Sequence, residues 1–334
     1  MELTPAQRRT LEHLIGFGST PDLASDLHER VRRSLEARLA AGGVRPGSAE
    51  TIWLGKHRLN DRQRCEGLFQ AGLLREGPAF EHSHVTASGR LFHKAIELDV
   101  ATERAFDPFS VCERAAGRVA EQDGSFGKHW AALDHFDRAD LLADGSRHLA
   151  LFRDSFPPLP RRWAPQPELF VKVVLAGGRV VLSGAPDLVL GRRRRLAIDF
   201  KSGRAWPEHP EDMRFYALLL LLRSGVPPYR VATFFLDSGE WQAEDVSEQT
   251  LDRAAERVVA AARTAVELAA GRFPVLTPGP YCARCPRRSV CPAAAGRAGP
   301  ACTGPAAASQ PAEEVVVTAG PYQDSRAATS RAGE

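Results

Sequence analysis

Two acidic residues and one lysine stand close to two neighbouring apolar runs. The stretch SGAPDLVLGRRRRLAIDFKSG, residues 183–203, places Asp187 beside one run, and Asp199 and Lys201 at the end of the next. Two such runs joined by a polar connector that begins with Gly191 predict a β-hairpin. Residues twelve apart can meet side by side in a hairpin, and strand alternation sends Asp199 and Lys201 to one face. The pattern predicts two carboxylates and an ammonium group at one place.

This grouping favours a divalent metal site. Adjacent carboxylates raise each other's pKa unless a cation lies between them. Magnesium and manganese ions prefer carboxylate oxygens and would supply that charge. A neighbouring lysine can then orient or deprotonate a water molecule and offset charge that builds on a phosphate. The alternative is an ordinary hairpin whose acids and lysine form a surface salt bridge, since the D…DxK pattern is short and common by chance.

The composition is that of an ordinary soluble globular protein. The chain has 334 residues, of which 43% are hydrophobic and 25% charged, so it is long enough for one large domain or two smaller ones. Its formal charge of +3 is too small to indicate a nucleic-acid partner. Only five of its 44 basic residues are lysines, at positions 56, 94, 128, 172 and 201. A lysine just beyond Asp199 therefore suggests a task that needs a compact amine whose pKa can shift.

The sequence predicts a cytoplasmic protein. Its first residues lack the basic start and apolar core of a signal peptide. The longest apolar block, near Tyr216, is far too short to span a bilayer. In a reducing compartment, the six cysteines are expected to be thiols or metal ligands rather than disulfides.

The periodicity predicts helices first, then strands and helices together. Helical patterns cover residues 5–41, about 60–74 with Cys65, 88–105 with Ser88 as N-cap and His93 inside, and parts of 107–153. From Glu168 three strands follow in a meander. A helix over 208–224, a strand over 229–236 and an Ala-rich helix over 248–271 come next. This order predicts an α/β sandwich with a mixed sheet.

Three late cysteines have the spacing of metal ligands. Cys282, Cys285 and Cys291 form a C-x2-C-x5-C pattern. Three thiolates within ten residues need a shared cation and a fourth ligand from elsewhere, although three unrelated thiols are the alternative. The Ala, Gly, Pro, Ser and Thr content of residues 296–334 predicts a disordered tail. Cys302 lies in that tail and is the weaker candidate for the fourth ligand.

Together these motifs resemble the PD-(D/E)XK nuclease superfamily. The likeness is to its RecB-like branch, which includes nuclease domains of bacterial recombination helicase-nucleases and CRISPR-associated adaptation nucleases. It covers roughly residues 48–292 and rests on GRLFHKAIE, Glu168, GAPDLVL, AIDFKSG, the helix with Tyr216 and the late cysteines. It implies a restriction-endonuclease-like core in α-βββ-α-β order over 88–273, with a helical insertion at about 107–153. A helical region over 1–87 would precede this core, and a cysteine segment over 274–295 and the tail would follow it.

The resemblance also implies roles for single residues. His93, Asp187 and Asp199 would bind Mg²⁺ or Mn²⁺, and Lys201 would position the attacking water. Glu168 matches an acid that commonly opens the preceding strand, and Tyr216 matches a tyrosine of the helix after the lysine. Cysteine-containing members take one cysteine from an early helix and three from the end. A [4Fe-4S] cluster, with zinc as the alternative, would thus be held by Cys65, Cys282, Cys285 and Cys291. This metal centre would be structural rather than redox-active.

One position departs from the family pattern. The helix after the lysine usually carries a glutamine four residues before its tyrosine, and here that residue is Asp212. Arg214 could take over a phosphate contact, or Asp212 could cap the helix. Arg192–Arg195 could likewise contact a phosphate backbone or simply be solvated.

The leading hypothesis is a metal-dependent deoxyribonuclease, most simply an exonuclease on single-stranded DNA or duplex ends, in repair, recombination or foreign-DNA processing. The alternative is a non-catalytic iron-sulfur or zinc DNA-binding subunit of a helicase-nuclease complex. The sequence has no G-x-x-x-x-G-K-[ST] loop, so any unwinding must come from a helicase partner.

Overall fold

The computed structural model describes residues 2–15, 23–47, 50–192 and 194–295. Arg193, Cys302 and the tail predicted to be disordered lie outside these described residues. The helices are α1 (Pro5–Ile15), α2 (Leu27–Ala41), α3 (Lys56–Arg64), α4 (Glu66–Leu73), α5 (His84–Ala101), α6 (Pro108–Gln122), α7 (Gly124–Ala132), α8 (His135–Ser155), α9 (Glu208–Ser224), α10 (Glu248–Ala269) and α11 (Pro292–Ala295). The strands are β1 (Ile52–Leu54), β2 (Gln166–Pro167), β3 (Val171–Leu175), β4 (Val180–Gly184), β5 (Leu188–Leu190), β6 (Arg195–Lys201), β7 (Pro228–Phe235) and β8 (Glu240–Asp245).

A five-stranded mixed sheet carries the predicted hairpin. Its order is β2-β5-β6-β7-β8, in which β6 and β7 are parallel and the other pairs antiparallel. Strands β5 and β6 pair Leu188 with Ile198, so the same register continued by one residue sets Asp187 opposite Asp199. Gly191 begins the connector with φ +88, and a Cβ there would lie 2.0 Å from the Arg194 carbonyl oxygen. Only glycine fits that turn.

The predicted three-strand meander is divided between two sheets. The run over residues 179–190 breaks into β4 and β5 at Pro186, which has no N–H for a strand ladder. β4 pairs with β3 and, in parallel, with β1, forming a separate sheet of order β1-β4-β3. Gly184 ends β4 against the α9 helix, where a Cβ would lie 2.9 Å from Cε1 of Tyr216. Asp187 follows this break directly, at the junction of the two sheets.

Helices cover both faces of the central sheet. Leu196, Ile198 and Phe200 of β6 belong to a buried cluster with α5, α6 and α8. Ala197 belongs to a second buried cluster, which contains residues of α2, α9 and α10. Because neighbouring strand residues point to opposite faces, Asp199 and Lys201 share the α9 side with Ala197. The predicted α/β sandwich with a mixed sheet is therefore the architecture of the described residues.

Several helix boundaries differ from the predictions for local reasons. Ser83, rather than Ser88, caps α5 through a capping box with Thr86, so that helix begins at His84 and Ser88 is buried within it. The single helix expected over 60–74 is two helices, because Cys65 between them is extended (φ −162). The α9 helix has the predicted bounds. Strands β1, β2 and β8 were not predicted; the first two are very short, and β8 is mostly polar. Within the described residues, no helix is both long and apolar enough to cross a membrane.

Candidate active site

Three side chains from distant parts of the chain converge on one point. One ligand atom each from His93, Glu168 and Asp187 lies within 4.8 Å of the other two. Nδ1 of His93 is 3.3 Å from Oδ1 of Asp187 and 3.6 Å from Oε1 of Glu168. His93 comes from α5, Glu168 directly follows β2, and Asp187 precedes β5. An imidazole nitrogen and two carboxylates at this spacing can hold a divalent metal ion.

Backbone hydrogen bonds fix the two acids of this group. The N–H of Phe200 donates to Oδ2 of Asp187 over 2.6 Å, which leaves Oδ1 towards His93. The N–H of Glu168 donates to the Asp187 carbonyl oxygen over 2.9 Å. Glu168 is in the left-handed region (φ +48), which is uncommon for a residue with a side chain. The two carboxylates are held together by the chain itself.

The environment of Asp187 is unfavourable for a carboxylate without a bound cation. Burial raises the pKa of Asp187 well above its usual range, and the nearby charge of Asp199 raises it further. His93 and Lys201 act in the opposite direction but do not cancel the effect. A divalent ion would stabilise the charged form of this carboxyl.

Asp199 is almost fully buried and is contacted by two lysines. Nζ of Lys201 lies 2.7 Å from Oδ2 of Asp199, as the alternation along β6 predicts. Nζ of Lys56, the first residue of α3, lies 3.5 Å from Oδ1. Lys56 also lies 5.4 Å from the ring centroid of Tyr216. Asp199 is outside the closest metal-ligand group of the described residues, although its charge acts on Asp187.

Tyr216 lies beneath this arrangement rather than at the surface. It is 1% exposed, and burial raises its pKa well above the usual value for a phenol. Lys56 counteracts this rise by its charge and a hydrogen bond, whereas the charges of Asp187 and Asp199 add to it. Its hydroxyl is therefore protonated and can donate a hydrogen bond.

Asp212 is held from the N-terminal side of the chain. Oδ1 of Asp212 accepts a 3.0 Å hydrogen bond from Nδ2 of Asn60, and Nη2 of Arg257 donates to Oδ1 of Asn60 over 2.7 Å. Asp212 lies inside α9, so it does not cap that helix. Arg214 forms ion pairs with Glu211 and Glu244, which occupy its guanidinium group.

Two other groups of charged residues contact partners of their own. Glu97, one turn from His93, binds the ammonium group of Lys94 over 2.8 Å. The arginine-rich connector lies at the end of the β5–β6 hairpin opposite to Asp187 and Asp199. There Arg195 donates to the Ser224 hydroxyl. Arg194 lies 5.2 Å from the ring centroid of Tyr229.

The late cysteine segment packs against α3 and α4, where Cys65 lies. A cavity of about 190 Å³ is lined by Cys65, Cys282, Cys285 and Cys291. Burial raises the pKa of the Cys285 thiol, and the charges of the other three cysteines raise it further. The four thiols are thus close enough to repel one another as thiolates, which is the condition that a shared metal centre relieves.

Polar contacts tie this segment to the early helices. The Tyr281 hydroxyl donates to the Arg64 carbonyl oxygen over 2.8 Å, and Arg287 forms an ion pair with Glu76 over 2.6 Å. Glu66 accepts from the N–H of Val275 over 2.9 Å. Cys112, by contrast, is buried in the helical insertion, and burial raises its pKa to about 11. It is an inert thiol of the core.

A comparison with known protein families gives the superfamily of the chain. Residues 57–292 match the sequence profile of the PD-(D/E)XK nuclease superfamily. This is more than half of the chain, and the protein belongs to that superfamily. It is therefore a nuclease by family, with the restriction-endonuclease-like core expected from the sequence. No curated protein matches the chain.

Two solved structures are similar in fold at low sequence identity. One is SSO0001, with 13% identity and a TM-score of 0.32 over 80% of this chain and 94% of that one. The other is a candidate exonuclease from Eubacterium rectale, with 9% identity and a TM-score of 0.43 over 84% of this chain and 94% of that one. These scores are low, so the family assignment rests on the sequence match.

Sequence reasoning missed Lys56 and Asn60. Both lie in α3, four residues apart and so on one helix face. The signal was present in the scarcity of lysine, because Lys56 is one of only five in the chain. Nothing in the sequence showed that α3 would approach β6.

Proposed function

We propose that the protein is a metal-dependent DNA phosphodiesterase. The observation that carries this proposal is the convergence of His93, Glu168 and Asp187 beside the paired Asp199 and Lys201. Three ligand groups, a further acid and an ammonium group are the components needed to hydrolyse a phosphodiester. The family match supports the same chemistry.

His93, Asp187 and Asp199 are the proposed metal ligands. Glu168 is proposed as a further ligand, because its carboxylate lies beside His93 and Asp187. A divalent ion bound there supplies Lewis-acid chemistry, polarising the phosphoryl oxygen and lowering the pKa of a water molecule. Lys201, held by Asp199, places its ammonium group where it can orient the attacking water and offset developing charge. The Phe200 N–H keeps Asp187 in position throughout.

The Tyr216 hydroxyl is proposed to support the site as a neutral hydrogen-bond donor. Its raised pKa keeps the proton on the phenol at neutral pH. A buried, protonated donor stabilises nearby negative charge without adding a charge of its own.

The four cysteines are proposed to hold a [4Fe-4S] cluster. A tetrahedral zinc site with Zn–S distances of about 2.3 Å places its sulfur atoms about 3.8 Å apart. Among the described residues, no three cysteine sulfurs lie within 4.8 Å of one another, since the His93 group is the sole set of that kind. Four cysteines that line one cavity, with sulfur atoms spaced more widely than zinc ligands, fit a multi-iron centre better than one zinc ion.

The test is a cleavage assay with end-labelled single-stranded and duplex DNA in Mg²⁺ or Mn²⁺. We expect the wild-type protein to degrade at least one substrate, and the labelled end that is lost first reports polarity. In the same assay, Lys172→Met is the matched control for Lys201→Met, because Lys172 lies on β3 beside Trp53 in the other sheet. A folded protein that binds DNA but cleaves neither substrate would favour the non-catalytic DNA-binding subunit instead.

A further inference from the structure

An arginine and a tryptophan contact each other in the loop that follows β6. Cζ of Arg204 lies over the Trp206 ring, 4.2 Å from its centroid. Arg204 is exposed, and Trp206 is half-buried. The attraction between a cation and a ring face uses none of the hydrogen bonds that the guanidinium N–H groups can form. This contact therefore holds the Arg204 side chain and leaves its donors available.

The donors of Arg204 have no acceptor among the residues that the structure describes. No ion pair or hydrogen bond joins Arg204 to any of those residues. Arg214, whose place in the sequence made it a candidate for a phosphate contact, instead forms ion pairs with Glu211 and Glu244. Of these two arginines, Arg204 is the one whose guanidinium group can accept an anionic ligand without breaking an ion pair within the described part of the chain.

The fold places Arg204 close to the proposed metal site. Strand β6 ends at Lys201, and Arg204 follows three residues later, a span of at most roughly 11 Å. The two residues between them, Ser202 and Gly203, are exposed. Gly203 has φ +121, a conformation that favours glycine. Two residues this small leave the backbone between Lys201 and Arg204 open to the approach of an extended strand.

His209 anchors the other side of this loop. Nδ1 of His209 accepts a 3.3 Å hydrogen bond from the Trp206 N–H, and the His209 N–H donates to the Trp206 carbonyl oxygen over 3.1 Å. Burial lowers the pKa of His209, and the charge of Lys201 lowers it further, so this buried ring lies near the proposed metal site. Trp206 is thus held beside that site, and its ring holds Arg204 in turn.

We propose that Arg204 binds a backbone phosphate of the DNA strand, a few nucleotides from the phosphodiester that is cleaved, and that Trp206 positions its guanidinium group. This assignment rests on the proposed nuclease function. Phosphates of one strand follow one another every ~3.4 Å along a duplex axis, so a strand whose reacting phosphate lies at Lys201 brings another within reach of Arg204. Arginine binds phosphate through paired N–H donors, and such a contact carries no base specificity.

The experiment measures binding of a fluorescein-labelled single-stranded oligonucleotide at several salt concentrations, with Ca²⁺ in place of the catalytic ion. Loss of one phosphate contact makes the slope of log K against log [salt] shallower by roughly 0.7 for a single strand. We expect this change in Arg204→Gln, with roughly tenfold weaker binding. Arg204→Lys should keep the slope, because it keeps the charge.

Arg223→Gln is the matched control and should keep the wild-type slope. Arg223 is also an exposed arginine, but it lies in the last turn of α9. The next residue, Ser224, accepts a hydrogen bond from Arg195 at the end of β6 opposite to Lys201. This substitution therefore removes the same charge away from the proposed metal site.

A double substitution tests the positioning role of Trp206. Trp206→Leu should weaken binding severalfold in the wild-type protein and have no further effect in Arg204→Gln, because the ring acts through the guanidinium group. If Trp206→Leu weakens binding equally in both proteins, the ring contacts the DNA itself, and the positioning role is overturned.

The outcomes separate the Arg204 assignment from the nuclease function. If Arg204→Gln binds with the wild-type slope, at any affinity, while the wild-type protein cleaves in Mn²⁺, the phosphate contact is overturned and the nuclease function stands. If the slope depends on Arg204 but the wild-type protein does not cleave, the nuclease function is overturned and the contact stands. A wild-type protein that neither binds nor cleaves overturns both.

Discussion

The backbone N–H of Phe200 donates a 2.6 Å hydrogen bond to Oδ2 of Asp187, and this bond joins two parts of the active site. Phe200 lies between Asp199 and Lys201 on β6, and its ring packs in the core on the opposite face. The packing of the Phe200 ring in the core therefore fixes the position of β6. Through the Phe200 N–H, β6 in turn holds the Asp187 side chain, which is not part of that strand. The spacing between Asp187 and the Asp199–Lys201 pair follows from this arrangement.

The first prediction concerns the metal ligands. Asp187→Asn and His93→Ala should each weaken Mn²⁺ binding by ~100-fold or more, because even outer-shell partners typically contribute 10- to 100-fold. Isothermal titration of Mn²⁺ into each variant measures the effect. Asp187→Asn keeps an oxygen that can accept from the Phe200 N–H, so the fold should be retained.

Glu168→Gln tests whether the third ligand is the acid that the geometry brings closest. A loss of Mn²⁺ affinity comparable to that of Asp187→Asn would assign Glu168 to the first coordination sphere. Affinity equal to wild type in Glu168→Gln, together with a loss in Asp199→Asn, would restrict the ligands to the set expected from sequence.

The second prediction separates catalysis from metal binding. Lys201→Met should lower the single-turnover cleavage rate by ~10²-fold or more, the usual effect of removing an electrostatic catalyst. Mn²⁺ should still bind, because Lys201 is not a ligand. Cleavage and titration on the same preparation give both values, and a thermal melt within a few degrees of wild type verifies the fold. Undiminished cleavage in this variant would remove Lys201 from the mechanism.

The central hairpin could be predicted from sequence because each of its signals is local. Alternation places Asp199 and Lys201 on one face, and Gly191 marks the turn. Lys56 could not be found this way, since its contact with Asp199 depends on how α3 packs against the sheet. The division at Pro186 was also missed, because two apolar runs around a proline resemble one continuous strand.

The third prediction is a dependence of stability on pH that arises from His209. Burial and the charges of Lys201 and Lys56 lower the pKa of His209 to about 4, although the charges of Asp199 and Glu208 act in the opposite direction. Nδ1 of His209 also accepts a hydrogen bond from the Trp206 N–H over 3.3 Å, which requires the neutral ring.

The direction follows from proton binding. Between pH 4 and pH 6.5, which are about the pKa of His209 in the folded protein and the usual histidine pKa, the unfolded chain binds more protons at His209 than the folded protein does. The free energy of unfolding should therefore fall as the pH drops through this range. Urea unfolding of wild type and His209→Gln at pH 7.5 and pH 5 measures it, and the variant should lose less stability. Equal losses in both proteins would contradict the role of His209.

The fourth prediction concerns the four-cysteine site. Anaerobically purified wild-type protein should be brown with absorbance near ~400 nm, and Cys65→Ser should lose this colour and melt at a lower temperature. Cys112→Ser is the matched control, because Cys112 is also buried but lies on α6, away from the four-cysteine site. Colourless wild-type protein with one bound zinc ion would contradict the [4Fe-4S] assignment and identify the four-cysteine site as a structural zinc site.

The proposed activity requires that His93, Glu168 and Asp187 bind one divalent ion beside Asp199 and Lys201. Anomalous scattering from a crystal soaked in Mn²⁺ tests it most directly. We expect a peak at roughly 2.0–2.3 Å from one ligand atom of each of the three residues. A crystal in which manganese binds elsewhere, or in which these side chains point apart, would contradict it.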